Sequence, residues 1–260
     1  MKYGFIGCGN MGGAIARCVS KSTKDILLSD PSPLTKELAR DLGAVCGNNQ
    51  EAASCHRLVL GVKPHMMKDM LAPLQPVLAE KKPLIITMAA GLEIRQIEQF
   101  AGIRLPIIRI MPNTPVGIGS GVILYCRNDL VDDETLQDVL HDLRFAGVLG
   151  ALEERLIDAG SALSGSSPAF VYMFIEALAD GAVACGIPRA KAMEYAAATV
   201  VGAGRMVLES GKHPGELKDA VCSPGGSTIA GVRTLEQHSF RGAVIDCIIN
   251  TYDRNKELGK

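Results

Sequence analysis

The residues with the clearest chemical potential form a short run, CSPGGST, at positions 222–228. A helical pattern follows this run through Leu235, so the N–H groups of residues 225–228 would lie at a helix N-terminus, where they lack intrahelical partners. Such N–H groups, together with the helix dipole, favour a bound carboxylate. The hydroxyls of Ser223 and Thr228 lie beside them in the sequence. An ordinary capped helix start is the alternative interpretation.

A second group of candidate residues lies at the start of the chain, where Gly7, Gly9 and Gly12 interrupt an apolar run that continues as a helix. This spacing is typical of a dinucleotide-binding turn. The first glycine permits the turn, the second leaves room for a pyrophosphate, and the third lets the helix pack closely on the strand. A plain glycine-rich turn is the alternative, although Asp30, at about the expected distance along the chain, favours cofactor binding.

Asp30 also bears on which cofactor would bind. A short apolar run precedes it, which predicts a strand that ends at this acid, where a carboxylate binds the ribose 2′-OH of NAD. A bare Asp-Pro turn is the alternative interpretation. Ser29, Ser32 and Lys36 could instead hold a 2′-phosphate. The residues therefore leave the choice between NADH and NADPH open.

Three further predicted strands end in small or proline-containing segments. Their ranges are 58–62, 84–88 and 107–111, followed by Lys63-Pro64, Ala89-Ala90-Gly91 and Pro112-Asn113-Thr114-Pro115. Ligands of open α/β sheets lie at the carboxyl ends of the strands. Taken alone, Lys63-Pro64 is better explained as a simple end of the strand, but the three segments together predict a shared cleft at one edge of a sheet.

The order of the patterns predicts an α/β fold with two domains. Strand patterns at 122–126 and 147–152, on either side of a helical pattern at 132–144, would complete the sheet. Beyond them strand-like runs become scarce. We therefore predict a Rossmann-type dinucleotide-binding domain over residues 1–153 and an all-α domain over residues 154–260.

The predicted helices of the second domain, at about 167–185 and 189–210, are rich in alanine and glycine and carry few charges. They present more apolar surface than one small bundle buries, which predicts a homo-oligomer built on a dimer of the helical domain. Glu176 and Asp180 interrupt the most apolar stretch, so we expect no membrane span. Glu176 is interpreted as part of a buried polar network, with a catalytic acid as the alternative.

The amino-acid composition limits the kinds of molecule that this protein could bind. The net charge of −1 gives no sign of a basic surface that would bind nucleic acid. A content of 47% hydrophobic residues is enough to form hydrophobic cores. The eight cysteines include no C-x-x-C pair, and a buried strand from residue 3 leaves no place for a signal peptide, so we expect a cytoplasmic protein with reduced thiols. The five histidines have no metal-ligand spacing, and Cys8 and Cys222 have no nearby base. We expect no metal and inert thiols.

Six stretches resemble the motifs of the 1-pyrroline-5-carboxylate reductase family, in the family's order and across essentially the whole chain. They are FIGCGNMGGAI at 5–15, GVKP at 61–64, MAAG at 88–91, RIMPNTP at 109–115, SGSSPAFVY at 164–172 and KDAVCSPGGSTIAG at 218–231. The first is shared with many dehydrogenases, and the last is characteristic of the family. Ser167 stands where many relatives have glycine, and Asp30 where relatives often have a small polar residue and prefer NADPH.

The resemblance implies hydride transfer from NADPH, with NADH as the alternative, to the imine carbon of a five-membered ring bearing a carboxylate, which gives L-proline. Thr228 would bind the substrate or its ring nitrogen, Ser223 would orient it, and the N–H groups of Gly226, Ser227 and Thr228, next to Gly225, would hold the carboxylate. The cofactor would contact Ile6, Gly7, Cys8, Gly9, Asn10, Met11, Ser29, Asp30, Asn49, Val62, Lys63, Pro64, Ala89, Ala90 and Gly91.

There are two alternative functions, one in another enzyme family and one in a different class of protein. A β-hydroxyacid dehydrogenase resembles this two-domain plan but uses a catalytic lysine on the long interdomain helix, and residues 164–186 contain no lysine. A nucleotide-sensing module would bind the cofactor without turnover. Consumption of NADPH in the presence of the cyclic imine discriminates the sensor from the enzyme.

Overall fold

The computed structural model describes residues 1–258, and within them the chain forms eight β-strands and thirteen α-helices. The strands are β1 (Tyr3–Ile6), β2 (Ile26–Ser29), β3 (Val45–Cys46), β4 (Arg57–Leu60), β5 (Leu84–Thr87), β6 (Ile107–Pro112), β7 (Gly121–Arg127) and β8 (Gly147–Ala151). The helices are α1 (Asn10–Val19), α2 (Leu34–Leu42), α3 (Asn49–Ala53), α4 (Met67–Leu71), α5 (Gln75–Lys81), α6 (Ile94–Ala101), α7 (Asp133–Leu143), α8 (Ile157–Ser164), α9 (Ser167–Ala184), α10 (Arg189–Ser210), α11 (Pro214–Ala220), α12 (Ser227–Gln237) and α13 (Phe240–Leu258).

The strands form one sheet in the order β3-β2-β1-β4-β5-β6-β7-β8. Strands β1 to β6 are all parallel to one another, β7 runs antiparallel to β6, and β8 is parallel to β7. The first six strands have the order of a doubly wound dinucleotide-binding fold, in which the order reverses between β1 and β4. The predicted Rossmann-type α/β fold is confirmed, and this reversal is where such folds bind their ligands.

The carboxyl ends of the central strands lie side by side. Ile6, the last residue of β1, pairs with Leu60 of β4, Leu60 pairs with Thr87 of β5, and Thr87 pairs with Arg109 of β6. The segments that follow β1, β4 and β5 therefore begin at the same edge of the sheet. The sequence predicts a shared edge for the segments after β4, β5 and β6, and these three strands are confirmed as parallel neighbours. Pro112, which was predicted to follow the third strand, is its last residue. The shared cleft stays a prediction.

Strands β4 and β5 end earlier than the sequence predicts. Val62 and Met88, which were predicted as strand residues, lie in the connections that follow Leu60 and Thr87. At the first of these ends, Gly61 packs so closely that an added Cβ would lie 2.3 Å from the Gly7 carbonyl oxygen. This backbone contact ends the strand and joins its connection to the glycine turn.

Helices cover both faces of the sheet, and each face has its own apolar core. Successive residues of a strand point to opposite faces, so Phe5 lies in one core and Ile6 in the other. Ile15 of α1 packs in the first core and Ile97 of α6 in the second. Because both faces are covered, the central strands are continuous apolar runs rather than alternating ones.

A buried polar cluster lies at the opposite edge of the sheet, at the amino ends of β1 and β4. Arg57 Nη1 donates to Asp142 Oδ2 at 2.8 Å and to the Tyr3 hydroxyl at 2.8 Å. Lys2 Nζ lies 2.8 Å from the same Asp142 oxygen, and Arg57 Nη2 lies 3.1 Å from Asp138. The cluster fixes α7 to the amino ends of two central strands.

The described chain divides into two compact units, Met1–Ser166 with the described part of Thr251–Lys260, and Ser167–Asn250. Ile157, the first residue of α8, is fully buried in the second core of the first unit. The packing-based division therefore falls after Ser166, whereas the predicted one falls after residue 153. The predicted division stays a prediction about independently folding domains.

The second unit consists of helices that bury little of their apolar surface within one chain. Its buried cluster contains three alanines, Ala179, Ala192 and Ala196, packed by Ile175 and a few neighbours. Large apolar side chains are exposed along α9 and α10, with Met173 69% and Leu208 75% accessible. These surfaces agree with the predicted excess of apolar area.

One stretch of the described residues, Glu154–Ala184, is long and apolar enough to cross a membrane by length and composition, and 6% of its most apolar window is buried. No membrane span was predicted here because Glu176 and Asp180 interrupt the stretch, but its mean hydropathy is still 1.2. Length and composition alone are weak evidence for a span. A protein–protein interface accounts for the same exposed apolar surface.

Candidate active site

The turn between β1 and α1 has the geometry that its glycines predict. Gly7 has a φ of +90°, in the region that favours glycine. A Cβ added to Gly12 would lie 2.0 Å from the Gly7 carbonyl oxygen, so α1 and the turn are in backbone contact. A Cβ added to Gly9 would meet nothing within 4 Å, which leaves open space beside the backbone. These positions match the three tasks of a dinucleotide-binding turn.

The N-terminus of α1 is open to an anion. Gly9 is its N-cap and makes no side-chain capping bond. The first N–H groups of the helix therefore point past the turn without intrahelical partners. A cavity of about 670 Å³ lies there, lined by Cys8, Gly9 and Asn10 among others, which is a suitable size for part of a nucleotide. Its wall also includes Arg17, a cation two turns into the helix that no motif in the sequence indicates.

Asp30 joins two parts of this site. Its Oδ2 accepts a hydrogen bond from the Cys8 N–H at 2.7 Å, and its Oδ1 accepts one from the Ser32 N–H at 2.8 Å. The second bond closes a turn, as the Asp-Pro interpretation expects. The carboxylate retains further acceptor capacity. Together with Ser32 and Lys36 it lines a second cavity of about 390 Å³. A contact between this carboxylate and the ribose stays a prediction.

Ser29 and Asn49 lie next to each other because their side chains are hydrogen-bonded to each other. The Ser29 hydroxyl donates to Asn49 Oδ1 at 2.6 Å, and the Ser29 residue is only 4% exposed. Asn49 is the first residue of α3, which follows β3. Ser29 therefore orients Asn49, and a direct contact of either residue with a cofactor stays a prediction.

The segments after β4 and β5 complete the first unit's candidate site. Lys63 is extended and precedes a short 3-10 turn that begins at Pro64. Ala89 is buried, Ala90 is exposed, and Gly91 has a φ of +73°. These residues lie beside the carboxyl edge that also carries the glycine turn. The geometry suits a bound dinucleotide, and their contacts with it stay predictions.

Cys8 does not have the properties of a nucleophile. Burial, with the nearby charge of Asp30, raises the pKa of the Cys8 thiol to about 12. Since the thiolate is the nucleophilic form, the thiol is unreactive near neutral pH. This result agrees with the inert-thiol interpretation.

Within residues 1–258, no group of three or more His, Cys, Asp or Glu side chains could hold a metal ion.

The second unit carries the other candidate group, at the start of α12. Gly226 is the N-cap of this helix, makes no side-chain capping bond, and follows Gly225, whose φ is +68°. A Cβ added to Gly226 would lie 2.4 Å from Ser223 Oγ, so the Ser223 hydroxyl lies beside the helix N-terminus. Ser227 and Thr228 are the first two residues of the helix. The predicted helix start is confirmed.

One predicted donor of this group is already engaged. The Gly226 N–H donates to the Ser223 carbonyl oxygen at 3.0 Å. This bond conflicts with the prediction that the Gly226 N–H binds a substrate carboxylate. The bond forms because the positive φ of Gly225 turns the chain back toward Ser223. The N–H groups of Ser227 and Thr228, in the first turn of α12, have no intrahelical acceptors. Their roles, and those of the Ser223 and Thr228 hydroxyls, stay predictions.

The first unit is a Rossmann-type dinucleotide-binding unit, as its sheet order, its glycine turn and the open N-terminus of α1 show. The chain continues into a helical unit in which the N-terminus of α12 is suited to binding an anion. Residues 154–258 match the family model of pyrroline-5-carboxylate reductase dimerisation. Residues 2–91 match the model of coenzyme F420-dependent NADP oxidoreductase.

Similar proteins span the whole chain. The sequence is 41% identical over 266 residues to pyrroline-5-carboxylate reductase of Escherichia coli (strain K12), covering 100% of this chain and 98% of the relative. The structure of a pyrroline-5-carboxylate reductase from Coxiella burnetii has a TM-score of 0.91 at 32% identity, covering 98% of this chain and 97% of that one. A crystal structure of Plasmodium falciparum pyrroline carboxylate reductase with NADP bound has a TM-score of 0.88 at 31% identity, covering 100% and 98%. The chain belongs to the pyrroline-5-carboxylate reductase family, as its motifs indicate.

Proposed function

We propose that this protein reduces 1-pyrroline-5-carboxylate to L-proline, the last step of proline biosynthesis, with NADPH as the hydride donor. The observation that carries the proposal is the full-length relationship to pyrroline-5-carboxylate reductases, at 41% identity over 100% of the chain. The structure of such an enzyme with NADP bound, which this chain matches along its whole length, supports NADPH as the cofactor. The open turn at Gly9 and the uncapped start of α1 fit its pyrophosphate.

The side chains have binding and orienting tasks in this reaction. The N–H groups of Ser227 and Thr228 hold the substrate carboxylate at the positive end of α12. The Thr228 hydroxyl binds the ring nitrogen, and the Ser223 hydroxyl fixes the orientation of the ring. When bound, the cofactor supplies the hydride. Addition of this hydride to the imine carbon would break the π bond of C=N, whose electron pair would move onto the protonated nitrogen and give the amine. Positioning and charge complementarity suffice for this step.

The test is direct. Purified protein mixed with NADPH and 1-pyrroline-5-carboxylate should oxidise the cofactor and release an equal amount of proline, measured by absorbance and mass spectrometry. Controls without the imine should show no oxidation. Absence of proline with both NADPH and NADH would refute the proposal, and cofactor binding without oxidation would identify a sensor instead.

Cofactor choice depends on Asp30, whose charge lies beside Ser32 and Lys36 in one cavity. A carboxylate there repels a 2′-phosphate, so Asp30→Ser should raise the ratio of kcat/KM for NADPH to kcat/KM for NADH by roughly tenfold. Asp30→Asn is the matched control, since it removes the charge but keeps an acceptor oxygen for the turn. Both variants should shift the ratio. An unchanged ratio in both would show that the acid does not face the ribose.

We also infer a cytoplasmic homo-oligomer built on a dimer of the helical unit, with neither nucleic acid nor a membrane as partner. The dimerisation model over residues 154–258 and the exposed apolar faces of α9 and α10 support the dimer. Seven of the eight cysteines, Cys8, Cys18, Cys46, Cys55, Cys126, Cys185 and Cys222, are free thiols, which suits a reducing compartment. Sedimentation of the full chain without detergent should give at least the mass of a dimer at micromolar concentration. A soluble monomer at every concentration tested would contradict the inference.

A further inference from the structure

The RIMPNTP motif places a charged side chain inside the sheet. Arg109 lies in the middle of β6, its side chain is only 1% exposed, and it pairs across the sheet with Thr87. Through Thr87 and Leu60 it belongs to the row that ends at Ile6, beside the candidate cofactor edge. A buried cation is costly unless it is paired and hydrogen-bonded. The partners of Arg109 therefore show what this charge holds in place.

Two carboxylates bind the Arg109 guanidinium. Its Nη2 lies 2.8 Å from Asp158 Oδ1, and its Nη1 lies 3.4 Å from Glu154 Oε1. Both carboxylate side chains are 34% exposed. The Arg109 Nε is buried without a hydrogen-bond partner in the described part of the chain. By distance, Asp158 makes the better ion pair.

Glu154 makes one contact that Asp158 does not. The same Oε1 that faces Arg109 accepts a hydrogen bond from the Ile94 N–H at 2.7 Å. Ile94 is the first residue of α6, so the carboxylate satisfies an N–H group that has no intrahelical partner and lies at the positive end of the helix. Arg109 in turn fixes Glu154 from inside the sheet.

The segment that this contact holds is the candidate cofactor segment. It leaves β5 at Thr87 and reaches α6 at Ile94, and residues 89–91 lie between these two points. Gly91 is in the left-handed region, and Ala90 is exposed. One end is fixed by the sheet ladder, and the other by the Glu154 hydrogen bond together with the burial of Ile94 in the second core. Removal of the Glu154 side chain therefore loosens that end of the segment and leaves Asp158 as the ion-pair partner of Arg109.

We propose that Glu154, oriented by Arg109, is a positioning residue that holds residues 89–91 in the conformation that binds the cofactor, and that Asp158 serves only to balance the buried charge. The inference rests on the proposed function, because that function makes residues 89–91 part of the NADPH site. It assigns different tasks to two carboxylates on the same guanidinium.

The test compares Glu154→Ala with Asp158→Ala in the full-length protein. NADPH affinity is measured by fluorescence titration, the thermal midpoint by calorimetry, and amide hydrogen exchange over residues 88–94 by mass spectrometry. Glu154→Ala should raise the Kd for NADPH roughly tenfold and speed exchange in the segment. Asp158→Ala should lower the thermal midpoint at least as much, yet change Kd less than about twofold. Glu154→Gln keeps an acceptor for the Ile94 N–H and should restore most of the affinity.

Equal effects of the two alanine variants on Kd would overturn the proposal, as would an unchanged Kd in Glu154→Ala. These readouts need no turnover. A wild-type protein that binds NADPH but leaves the imine unreduced would refute the proposed function while the comparison still decides this inference. A wild-type protein that fails to bind NADPH would overturn both.

Discussion

Replacing Thr228 with alanine is expected to lower kcat/KM for 1-pyrroline-5-carboxylate by roughly ten- to more than a hundredfold, with the Kd for NADPH almost unchanged. The loss of one hydrogen bond to a charged substrate costs about 1.5–3 kcal/mol, which corresponds to this range. Thr228 lies in the second unit, whereas the glycine turn and its cavity lie in the first. Steady-state kinetics and a separate NADPH titration measure the two quantities.

Thr228→Ser is the matched control, because it keeps the hydroxyl at the second position of α12. It should lose much less activity than the alanine variant. Near-normal turnover of Thr228→Ala, or weaker NADPH binding in place of slower turnover, would contradict the assignment of this hydroxyl to the substrate.

The largest expected effect on stability comes from Asp142. Its side chain is 4% exposed, and that of its partner Arg57 is 10% exposed. Breaking a buried ion pair by removing one partner costs about 3–5 kcal/mol, so Asp142→Asn should lower the free energy of unfolding by about 3 kcal/mol. Asp138→Asn is the control, since its carboxylate binds the same guanidinium but is 66% exposed. It should cost under about 1 kcal/mol. Urea unfolding at one fixed protein concentration measures both, and equal losses would contradict the argument.

The same cluster gives a pH dependence. Burial by itself would raise the pKa of Asp142, but hydrogen bonds from Lys2 and Tyr3, with the charges of Lys2 and Arg57, hold it below the ordinary value. The folded-state pKa is thus lower than the unfolded one. The stabilisation is present above the unfolded pKa and is lost as the pH falls. Acidification below about pH 4 should therefore reduce the stability gap between wild type and Asp142→Asn.

The parts of the fold that follow from residue type alone could be predicted. Three strands that end in small or proline-containing segments share an edge because parallel strands align their carboxyl ends. The glycine turn was predictable because only glycine fits at Gly7 and Gly12. By contrast, β3 has two residues, both exposed, and gives no apolar signal. The antiparallel direction of β7 was not predictable, because an apolar run does not encode strand direction.

The candidate site shows the same division. The start of α12 could be predicted from its glycines and hydroxyl-bearing residues. The hydrogen bond of the Gly226 N–H could not, because it depends on the backbone conformation of Gly225. Arg109 interrupts an otherwise apolar run, and its position in the sequence does not indicate which groups it binds. Its link to α6 passes through Glu154, which lies 45 residues away along the chain. Such a contact is created by packing and leaves no local pattern in the sequence.

Isotope transfer tests the central claim most directly. NADPH that carries deuterium at both C4 positions is mixed with the protein and unlabelled 1-pyrroline-5-carboxylate, and the proline formed is analysed by mass spectrometry and NMR. The account predicts one deuterium per proline, bonded to the ring carbon that was part of the imine. Proline without deuterium, or consumption of the cofactor without proline, would contradict direct hydride transfer from the cofactor to the imine carbon.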